Sequence, residues 1–254
     1  MAGLAHAAET WKTEQAWTSP AKVATGLAWD GRYLWHGETW GTERGSPAYF
    51  YKTDPKTGRT LSTISSQIGD PGDIEWLNGA LWVTEENQIP PGSGNQYVVK
   101  VDPQDGSILQ KIRIDLPSDT KNRGQCEAVT SDGKLLYISY NGRSIIKVDP
   151  ASGKTVQILD IPWANPNYNN SSAGDQYYLD GLCWAFGHIF AVTNTPLAII
   201  EIDPISGAKL AEFKAPAGQG FGPEGLATDG SSIYYSENTY NRYYRITLID
   251  GYFR

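Results

Sequence analysis

Carboxyl side chains recur at one position of a segment that the sequence repeats five times. The segment is a short apolar run ending in glycine, and the recurring position lies six or seven residues before that glycine. Carboxylate oxygens from several repeats are typical ligands of a hard divalent cation, and a wide site with many ligands favours Ca²⁺ over Mg²⁺. The position holds Thr25, Asp73, Glu127, Asp180 and Glu224, whose four acids form the predicted Ca²⁺ site.

The same acids support two other interpretations, and the sequence alone leaves both open. Four carboxylates directed at one point cannot all ionise without a counter-ion, so some would keep their protons at neutral pH. They would then cap a channel as solvated groups, or supply a general base that works without a metal. For a catalytic site, the sequence favours Glu127 as the central carboxyl group, with Glu38 and Glu85 as proton carriers.

Tight turns of the pattern Asp-Pro-x-x-Gly divide the chain into similar units. The aspartate side chain caps such a turn, proline fixes φ, and glycine takes the left-handed backbone conformation. The turns join alternating runs, for example 97–101 (YVVKV) and 108–112 (ILQKI), which predicts hairpins. They lie at residues 54–58, 102–106, 149–153 and 203–207.

The glycine-ended segments set the length of the unit. Their final glycines are Gly31, Gly79, Gly133, Gly187 and Gly230, at spacings of 48, 54, 54 and 43 residues. Four short strands in a unit of about 45 residues are typical of a β-propeller blade. The sequence therefore predicts an all-β fold, a five-bladed β-propeller with four-stranded blades, as one domain over residues 1–254. The blades start near residues 25, 73, 127, 180 and 224.

The fifth unit lacks an outer strand of its own. It ends after a third strand at 242–249, and only residues 250–254 follow. The N-terminal residues 12–20 (KTEQAWTSP) align with 209–216 (KLAEFKAP), an outer strand. We therefore expect residues 10–20 to complete the last blade and close the ring, because an open ring would expose a sheet edge.

Long connections gather on the face that carries the acids. They span 39–47, 86–96, 117–125 and 161–178, whereas the turns of the opposite face are short. Long loops on one face of a repeat scaffold favour a binding surface for a small molecule, a peptide or a carbohydrate. The candidate substrate-binding residues are Trp40, Lys121, Arg123, Trp163, Asn194, Glu237 and Asn238.

Composition narrows the classes of function. A net charge of −7 and a pI near 5 disfavour a nucleic-acid partner, and no apolar run is long enough to span a membrane. Cys126 and Cys183 are too few for a disulfide scaffold, and three histidines without metal-ligand spacing argue against a zinc site.

Residues 2–9 (AGLAHAAE) resemble the end of a secretory signal, which favours an extracellular or periplasmic protein, although an ordinary N-terminus fits equally well. We expect a monomer.

Two blade starts resemble those of known propeller enzymes. Residues 223–230 (PEGLATDG) and 180–184 (DGLCW) resemble the blade starts of the SMP-30/gluconolactonase and NHL-repeat propellers. In the gluconolactonase-like enzymes, acidic and Asn residues at such positions hold a divalent cation that activates water or polarises a lactone carbonyl. The resemblance implies a metal-dependent hydrolase of lactonase or esterase type at the acidic mouth of the central channel.

A second resemblance covers most of the chain. The blade number, the length and the N-terminal closure are similar to those of the plant-type glutaminyl cyclotransferases, as are residues 73–82 (DIEWLNGALW) and 128–149 (AVTSDGKLLYISYNGRSIIKVD). This resemblance implies an aminoacyl transfer in which a carboxylate deprotonates an attacking α-amine. A third class also stays open, a carbohydrate- or peptide-binding propeller with a structural ion, because Trp and Tyr rings stack well on sugar faces.

Overall fold

The computed structural model describes residues 11–38, 47–85, 95–116, 125–164, 176–216 and 222–248. Across these ranges every regular element is a β-strand, and the strands form five sheets of four antiparallel strands. The sheets are arranged as the blades of a propeller, so the predicted all-β, five-bladed fold is confirmed. Within the same ranges, no helix is long and apolar enough to cross a membrane.

Each blade runs from an inner strand near the axis to an outer strand at the rim. The first blade contains β2 (Ala24–Trp29), β3 (Leu34–Glu38), β4 (Ala48–Thr53) and β5 (Thr60–Ser66). The second contains β6 (Pro71–Leu77), β7 (Ala80–Glu85), β8 (Tyr97–Val101) and β9 (Ile108–Arg113). The third contains β10 (Cys126–Ser131), β11 (Leu136–Tyr140), β12 (Ser144–Val148) and β13 (Thr155–Asp160). The fourth contains β14 (Gln176–Ala185), β15 (His188–Thr195), β16 (Leu197–Ile202) and β17 (Lys209–Lys214). The fifth contains β18 (Pro223–Thr228), β19 (Ser232–Glu237), β20 (Arg242–Leu248) and β1 (Trp11–Thr18).

The inner strands surround a central channel. Strands β2, β6, β10, β14 and β18 contact one another around the axis. We call the end of the channel where these strands begin the upper mouth, and the end where they finish the lower mouth. Because neighbouring strands of a blade are antiparallel, the turns between first and second strands all lie at the lower mouth.

The N-terminal strand closes the ring as predicted. Strand β1 pairs antiparallel with β20, from Trp11 opposite Leu248 to Thr18 opposite Arg242. Trp17 also stacks on Tyr243, with ring centroids 4.9 Å apart. The two ends of the chain therefore share one sheet, and the ring cannot open without breaking a ladder of backbone hydrogen bonds.

The Asp-Pro turns hold neighbouring blades together at their outer edges. The closing glycine of each turn has a φ between 72° and 79°. A side chain there would also overlap the preceding blade: a Cβ on Gly106 would meet the carbonyl oxygen of Ser65, and one on Gly207 that of Asp160. Glycine is therefore required twice, by the sign of φ and by the close approach of the backbones.

The hydrophobic core lies between neighbouring blades. Between the second and third blades, for example, Val98 and Ile112 pack in one cluster with Val129 and Ile138. Burying an aliphatic side chain of this size contributes about 1.5–3 kcal/mol. These layers fix the spacing of the inner strands and so position the side chains at both mouths.

The turns at the lower mouth differ in length. In the second and fourth blades, Asn78-Gly79 and Phe186-Gly187 form two-residue turns, and both residues of each turn have positive φ, as in type I′ hairpins. In the other three blades, four residues separate the last paired positions, as between Trp29 and Leu34. An inner strand with the shorter turn therefore runs one residue further before its glycine.

Candidate functional site

The register of the second blade differs from the prediction. Counting back from the terminal glycines predicts that Asp73 lies in line with Glu127. In the structure, the pairing of β6 with β7 is irregular just before Ile74, and the pairing of β10 with β11 is irregular just before Val129. Ile74 is therefore level with Val129. Two residues earlier on each strand, Gly72 rather than Asp73 is level with Glu127. The cause is the two-residue turn of this blade, which shifts the glycine by one position relative to the strand.

Three carboxyl groups, rather than four, therefore stand at one level of the upper mouth. They are Glu127, Asp180 and Glu224, from the inner strands of the third, fourth and fifth blades. All three are half-buried, and Thr25 and Gly72 complete the level on the other side of the mouth. We call Glu127, Asp180 and Glu224 the upper acid cluster.

Asp73 lies one residue below this cluster, inside the channel. Its side chain is 1% exposed, and both of its oxygens accept backbone N–H bonds. Oδ1 accepts from Ile74 at 2.9 Å, and Oδ2 accepts from Val129 at 3.3 Å and Leu182 at 3.2 Å. One carboxyl group thus ties together the inner strands of the second, third and fourth blades.

Small residues leave room for Asp73 at the axis. A Cβ on Gly26 of the first blade would overlap the Asp73 side chain. Burial raises the pKa of Asp73 well above its usual range, and the three N–H bonds oppose this rise. The structure thus uses Asp73 as an axial crosslink, which sequence reasoning did not predict. The equivalent residues of the other blades are Gly26, Ala128, Gly181 and Gly225.

Glu127 is positioned from both neighbouring blades. Its carbonyl oxygen accepts a hydrogen bond from the Thr84 hydroxyl at 2.6 Å, and its Oε1 accepts one from the Tyr178 hydroxyl at 2.7 Å. Tyr178 is itself buried, and its ring occupies the space where a side chain on Gly142 would lie. The structure thus makes Tyr178 a hydrogen-bond donor that orients the Glu127 carboxyl group.

Asp180 and Glu224 lie at the same level but differ in their hydrogen-bond partners. Oε1 of Glu224 accepts a hydrogen bond from the Asn238 side-chain amide, whereas Oδ2 of Asp180 is buried and has no hydrogen-bond partner within the described residues. Burial, followed by the charges of Glu127 and Glu224, raises the pKa of Asp180. Burial and the charges of Glu127 and Asp73 likewise raise the pKa of Glu224.

The cluster is therefore suited to proton transfer. Carboxyl groups close enough to raise each other's pKa do not all ionise together, so an ionised carboxylate and a protonated acid can coexist near neutral pH. A site with both forms can remove a proton from one atom of a bound molecule and donate a proton to another.

The acids at the ends of the second strands engage other partners. Oε2 of Glu38 accepts hydrogen bonds from the Lys22 backbone N–H at 3.2 Å and from the Tyr51 hydroxyl. Oε1 of Glu85 accepts a hydrogen bond from the Gly69 N–H at 3.3 Å, and its Oε2 lies 2.6 Å from the Lys111 ammonium. The bonds from Lys22 and Gly69 fix the loops that enter the first two blades. The bonds to Tyr51 and Lys111 direct both carboxyl groups away from the axis, because these residues belong to third and fourth strands.

Glu237 has a similar role at the end of β19. Its Oε2 accepts a hydrogen bond from the Tyr240 N–H at 2.9 Å, which fixes the turn after that strand. Its neighbour Asn238 points instead to Glu224 and also donates its backbone N–H to the Gly222 carbonyl at 2.9 Å. Of the predicted residues at second-strand ends, Asn238 is thus the one that the structure brings to the upper acid cluster.

Of the other predicted binding residues, the structure describes Trp163 and Asn194. The Trp163 indole donates to the Gly207 carbonyl at 2.9 Å and packs edge-on against Tyr177, at the outer edge between the third and fourth blades. Asn194 lies half-buried on β15, opposite Leu197. Trp40, Lys121 and Arg123 fall outside the described residues, as does most of each of the four long connections.

The predicted Ca²⁺ site is matched by its ligand types but not by their arrangement. Within the described ranges, no three His, Cys, Asp or Glu side chains are arranged to hold a metal ion. Asp73 directs both oxygens to backbone amides, and Glu127 and Glu224 each direct one oxygen to a neutral donor. Asp73 therefore has no oxygen to spare for Ca²⁺, an ion that takes six to eight ligands, and a Ca²⁺ site here would depend on Glu127, Asp180 and Glu224.

A carboxyl group that sequence reasoning did not select lies at the lower mouth. Glu75 is two residues after Asp73 on β6, and its carboxyl group bonds across the blade boundary to Thr130 of β10 at 2.8 Å. Burial raises its pKa to about 7. No spacing in the sequence marks this contact, because it depends on how the two inner strands pack.

Comparisons with known proteins show similarity in fold but not in sequence. No family model and no curated protein sequence match the chain. The structure of Myxococcus xanthus glutaminyl cyclase is similar with a TM-score of 0.66, over 95% of this chain and 98% of that one, at 12% identity. A luciferin-regenerating enzyme is similar with a TM-score of 0.51, over 93% and 96% of the two chains, at 12% identity. At such identities the likeness shows the fold alone, and at that level the resemblance to glutaminyl cyclotransferase propellers is confirmed.

Proposed function

We propose that the upper acid cluster catalyses acyl transfer by acid–base chemistry, with an amine-bearing amide as the leading substrate class. The observation that carries this proposal is the set of three half-buried carboxyl groups at one level, two of which have raised pKa values. In the leading reaction, a free α-amine attacks a side-chain amide of the same molecule, a lactam forms, and ammonia leaves.

The proton transfers can be assigned to residues of the cluster. Glu127, oriented by Tyr178, takes the proton from the attacking amine as the new C–N bond forms. Asp180 or Glu224, protonated because its pKa is raised, donates a proton to the departing nitrogen as the old C–N bond breaks. One proton is taken and one is given, so the net charge of the cluster is unchanged, and transfer of a proton from Glu127 to the acid that donated restores the starting state.

The charge of the upper mouth suits such a substrate. Below the cluster, the buried Asp73 carboxyl group bonds to the inner strands of three blades and so forms a floor at the axis. The acids attract the α-ammonium form of the substrate, which releases one proton to solvent before the free amine attacks, and the net charge of −7 adds a favourable long-range field. The fold of the Myxococcus glutaminyl cyclase supports this substrate class as a starting point, because fold likeness adjusts the expectation without fixing the chemistry.

The test compares two carboxyl-to-amide variants on peptides with N-terminal glutamine, followed by ammonia release. Glu127→Gln is expected to lower kcat by about 10²–10⁴-fold, the usual contribution of a general base. Glu212→Gln is the matched control, because Glu212 is an exposed acid on the outer strand β17 and pairs with Lys209 at 2.7 Å. Esters and lactones are assayed in parallel to define the acyl group.

Two results would contradict the proposal. One is wild-type protein that turns over no amide, ester or lactone; the other is a folded Glu127→Gln variant as active as the Glu212→Gln control. If the wild-type protein bound ligands without turning them over, and Glu127→Gln bound them with the same affinity, the protein would be a non-catalytic, ligand-binding propeller.

A second candidate is a Ca²⁺-dependent lactone or ester hydrolase at the same cluster. It is favoured by Oδ2 of Asp180, which is buried between two other acids without a hydrogen-bond partner in the described part of the chain. Thermal melting of metal-stripped protein, with Ca²⁺, Mg²⁺ and Zn²⁺ added back, tests it. An ion at a hundredfold excess over its Kd would stabilise the fold by about 2.7 kcal/mol, and the absence of any shift would remove this candidate.

A further inference from the structure

The lower mouth of the channel forms a second cavity, separated from the upper acid cluster by Asp73. The cavity has a volume of about 60 Å³, and all five inner strands line it. Since about 15 Å³ of such space holds one water, roughly four waters or one small organic group would fit. The polar and aromatic lining residues are Trp29, Glu75, Ser131, Cys183, Trp184 and Thr228.

Glu75 is the carboxyl group of this cavity, and neutral donors hold it in place. Its Oε1 accepts the Trp76 N–H at 2.7 Å, and its Oε2 accepts the Thr130 hydroxyl at 2.8 Å and the Ser131 N–H at 3.1 Å. The Thr130 hydroxyl in turn accepts the Trp184 N–H at 2.7 Å. Among the ion pairs of the described residues, none involves Glu75. A fixed carboxylate thus lines the cavity without a cation beside it.

Two tryptophans provide walls whose orientation is also fixed. The Trp29 ring stacks on Tyr234 with centroids 5.9 Å apart, and the Trp184 ring lies 5.2 Å from Tyr137. The tyrosine hydroxyls donate to aspartates that follow the inner strands, at 3.2 Å and 3.0 Å. The walls are therefore preorganised, and a ligand would lose little free energy in ordering them.

We propose that the lower mouth binds a small alkylammonium cation, with its charge beside Glu75 and its alkyl groups against Trp29 and Trp184. A carboxylate supplies the Coulomb attraction, and indole rings attract a cation more strongly than other aromatic groups do. A divalent metal is a poorer match, because one carboxyl group with both oxygens hydrogen-bonded offers few free ligand positions. This site does not depend on the chemistry proposed for the upper mouth.

The test titrates the full chain with tetramethylammonium and follows tryptophan fluorescence and binding heat. A cation of this size is expected to bind with a Kd on the order of 1 mM. tert-Butanol has the same number of heavy atoms and no charge, and it is expected to bind at least tenfold more weakly. Failure to see saturable tetramethylammonium binding up to roughly 50 mM would overturn the proposal, as would equal binding of tert-butanol.

Variants locate the site. Glu75→Gln is expected to weaken binding at least tenfold and Trp184→Phe about threefold, whereas Glu212→Gln leaves it unchanged. If Glu75→Gln fails to fold, Trp184→Phe and the tert-butanol comparison still decide. A folded Glu75→Gln variant with wild-type affinity would overturn the proposal. Glu224→Gln, at the other mouth, is expected to keep tetramethylammonium binding even if it loses turnover, which separates this proposal from the proposed function.

Discussion

The two mouths of the channel are built by the same five strands, yet they treat negative charge differently. At the upper mouth, acids from three blades stand at one level; burial and the charge of Glu127 raise the pKa of both Asp180 and Glu224. At the lower mouth, one acid is held by N–H and O–H donors and faces aromatic walls. The upper arrangement favours transfer of protons between neighbouring acids, whereas the lower one holds a single acid whose ionised form can attract a cation. Asp73 lies between them and keeps them apart.

Removing Asp73 is expected to have the largest effect, because it would take away the wall between the mouths. In Asp73→Ala, the N–H groups of Ile74, Val129 and Leu182 lose their acceptor. A buried donor without a partner costs about 1–3 kcal/mol, so the free energy of unfolding should fall by about 3 kcal/mol or more. Urea denaturation measures this loss.

Asp105→Ala is the control for the Asp73 variant. Asp105 lies in an exposed turn and accepts one N–H bond, from Ser107 at 2.8 Å. Its removal should cost less than about 1 kcal/mol. If the two variants lost the same free energy of unfolding, the hydrogen bonds of Asp73 would contribute no more to stability than those of an exposed turn. The fold would then not require Asp73 between the two mouths.

The sequence predicts the fold well because the signals that carry it are local. The Asp-Pro turns and the glycine-ended segments repeat within single blades, and the N-terminal alignment to an outer strand gives the closure. Glu127, Asp180 and Glu224 follow from the same repeat. Asp73 does not, because a two-residue turn moves Gly79 relative to the strand. The Asn78-Gly79 pair, typical of such hairpin turns, is the signal that could have corrected the alignment.

Contacts between blades set the limit of prediction from the sequence. The hydrogen bonds from Tyr178 to Glu127 and from Thr130 to Glu75 each join residues of different blades. No spacing in the chain specifies which strand faces which at the axis, since that depends on how the hydrophobic layers between blades pack. The lower cavity is therefore visible only in the structure.

Neutralising one acid of the upper cluster should stabilise the protein, and the gain should depend on pH. The raised pKa of Asp180 means that the folded state holds its proton more tightly than the unfolded state, whose value is near 3.8. Wild-type stability therefore falls as pH rises from about 3.8 through the folded pKa, and Asp180→Asn escapes this loss. We expect a gain of about 1 kcal/mol at neutral pH, of the size seen when functional-site strain is relieved.

Denaturation of the Asp180 variant and the wild type near pH 4 and near pH 7 measures this gain. The two proteins should differ least at the lower pH, where the wild-type carboxyl group is still protonated in the folded state and only partly ionised in the unfolded state. A variant that is less stable at neutral pH would show that the Asp180 charge is compensated in the folded protein, and the contrast between the mouths would weaken.

The smallest expected effect is the pH dependence of stability caused by Glu75 at the lower mouth. Glu75 has a pKa of about 7 in the folded protein against 4.5 when unfolded, so wild-type stability declines between these pH values. The slope cannot exceed about 1.4 kcal/mol per pH unit. Because Glu75 is only half-buried, solvent screening should reduce the loss to about 0.5 kcal/mol over the whole interval.

Glu75→Gln should remove this slope, and the difference between the two denaturation curves isolates Glu75. Asp73 and Cys183 remain in both proteins, and because the Glu75 charge helps to raise both of their pKa values, the difference reports the ionisation of Glu75 together with its coupling to these two groups. Tetramethylammonium provides the decisive comparison: by binding the ionised carboxylate it should lower the Glu75 pKa and flatten the wild-type slope, with no effect on the variant. Equal slopes in all samples would mean that the lower carboxyl group does not exchange a proton near neutral pH.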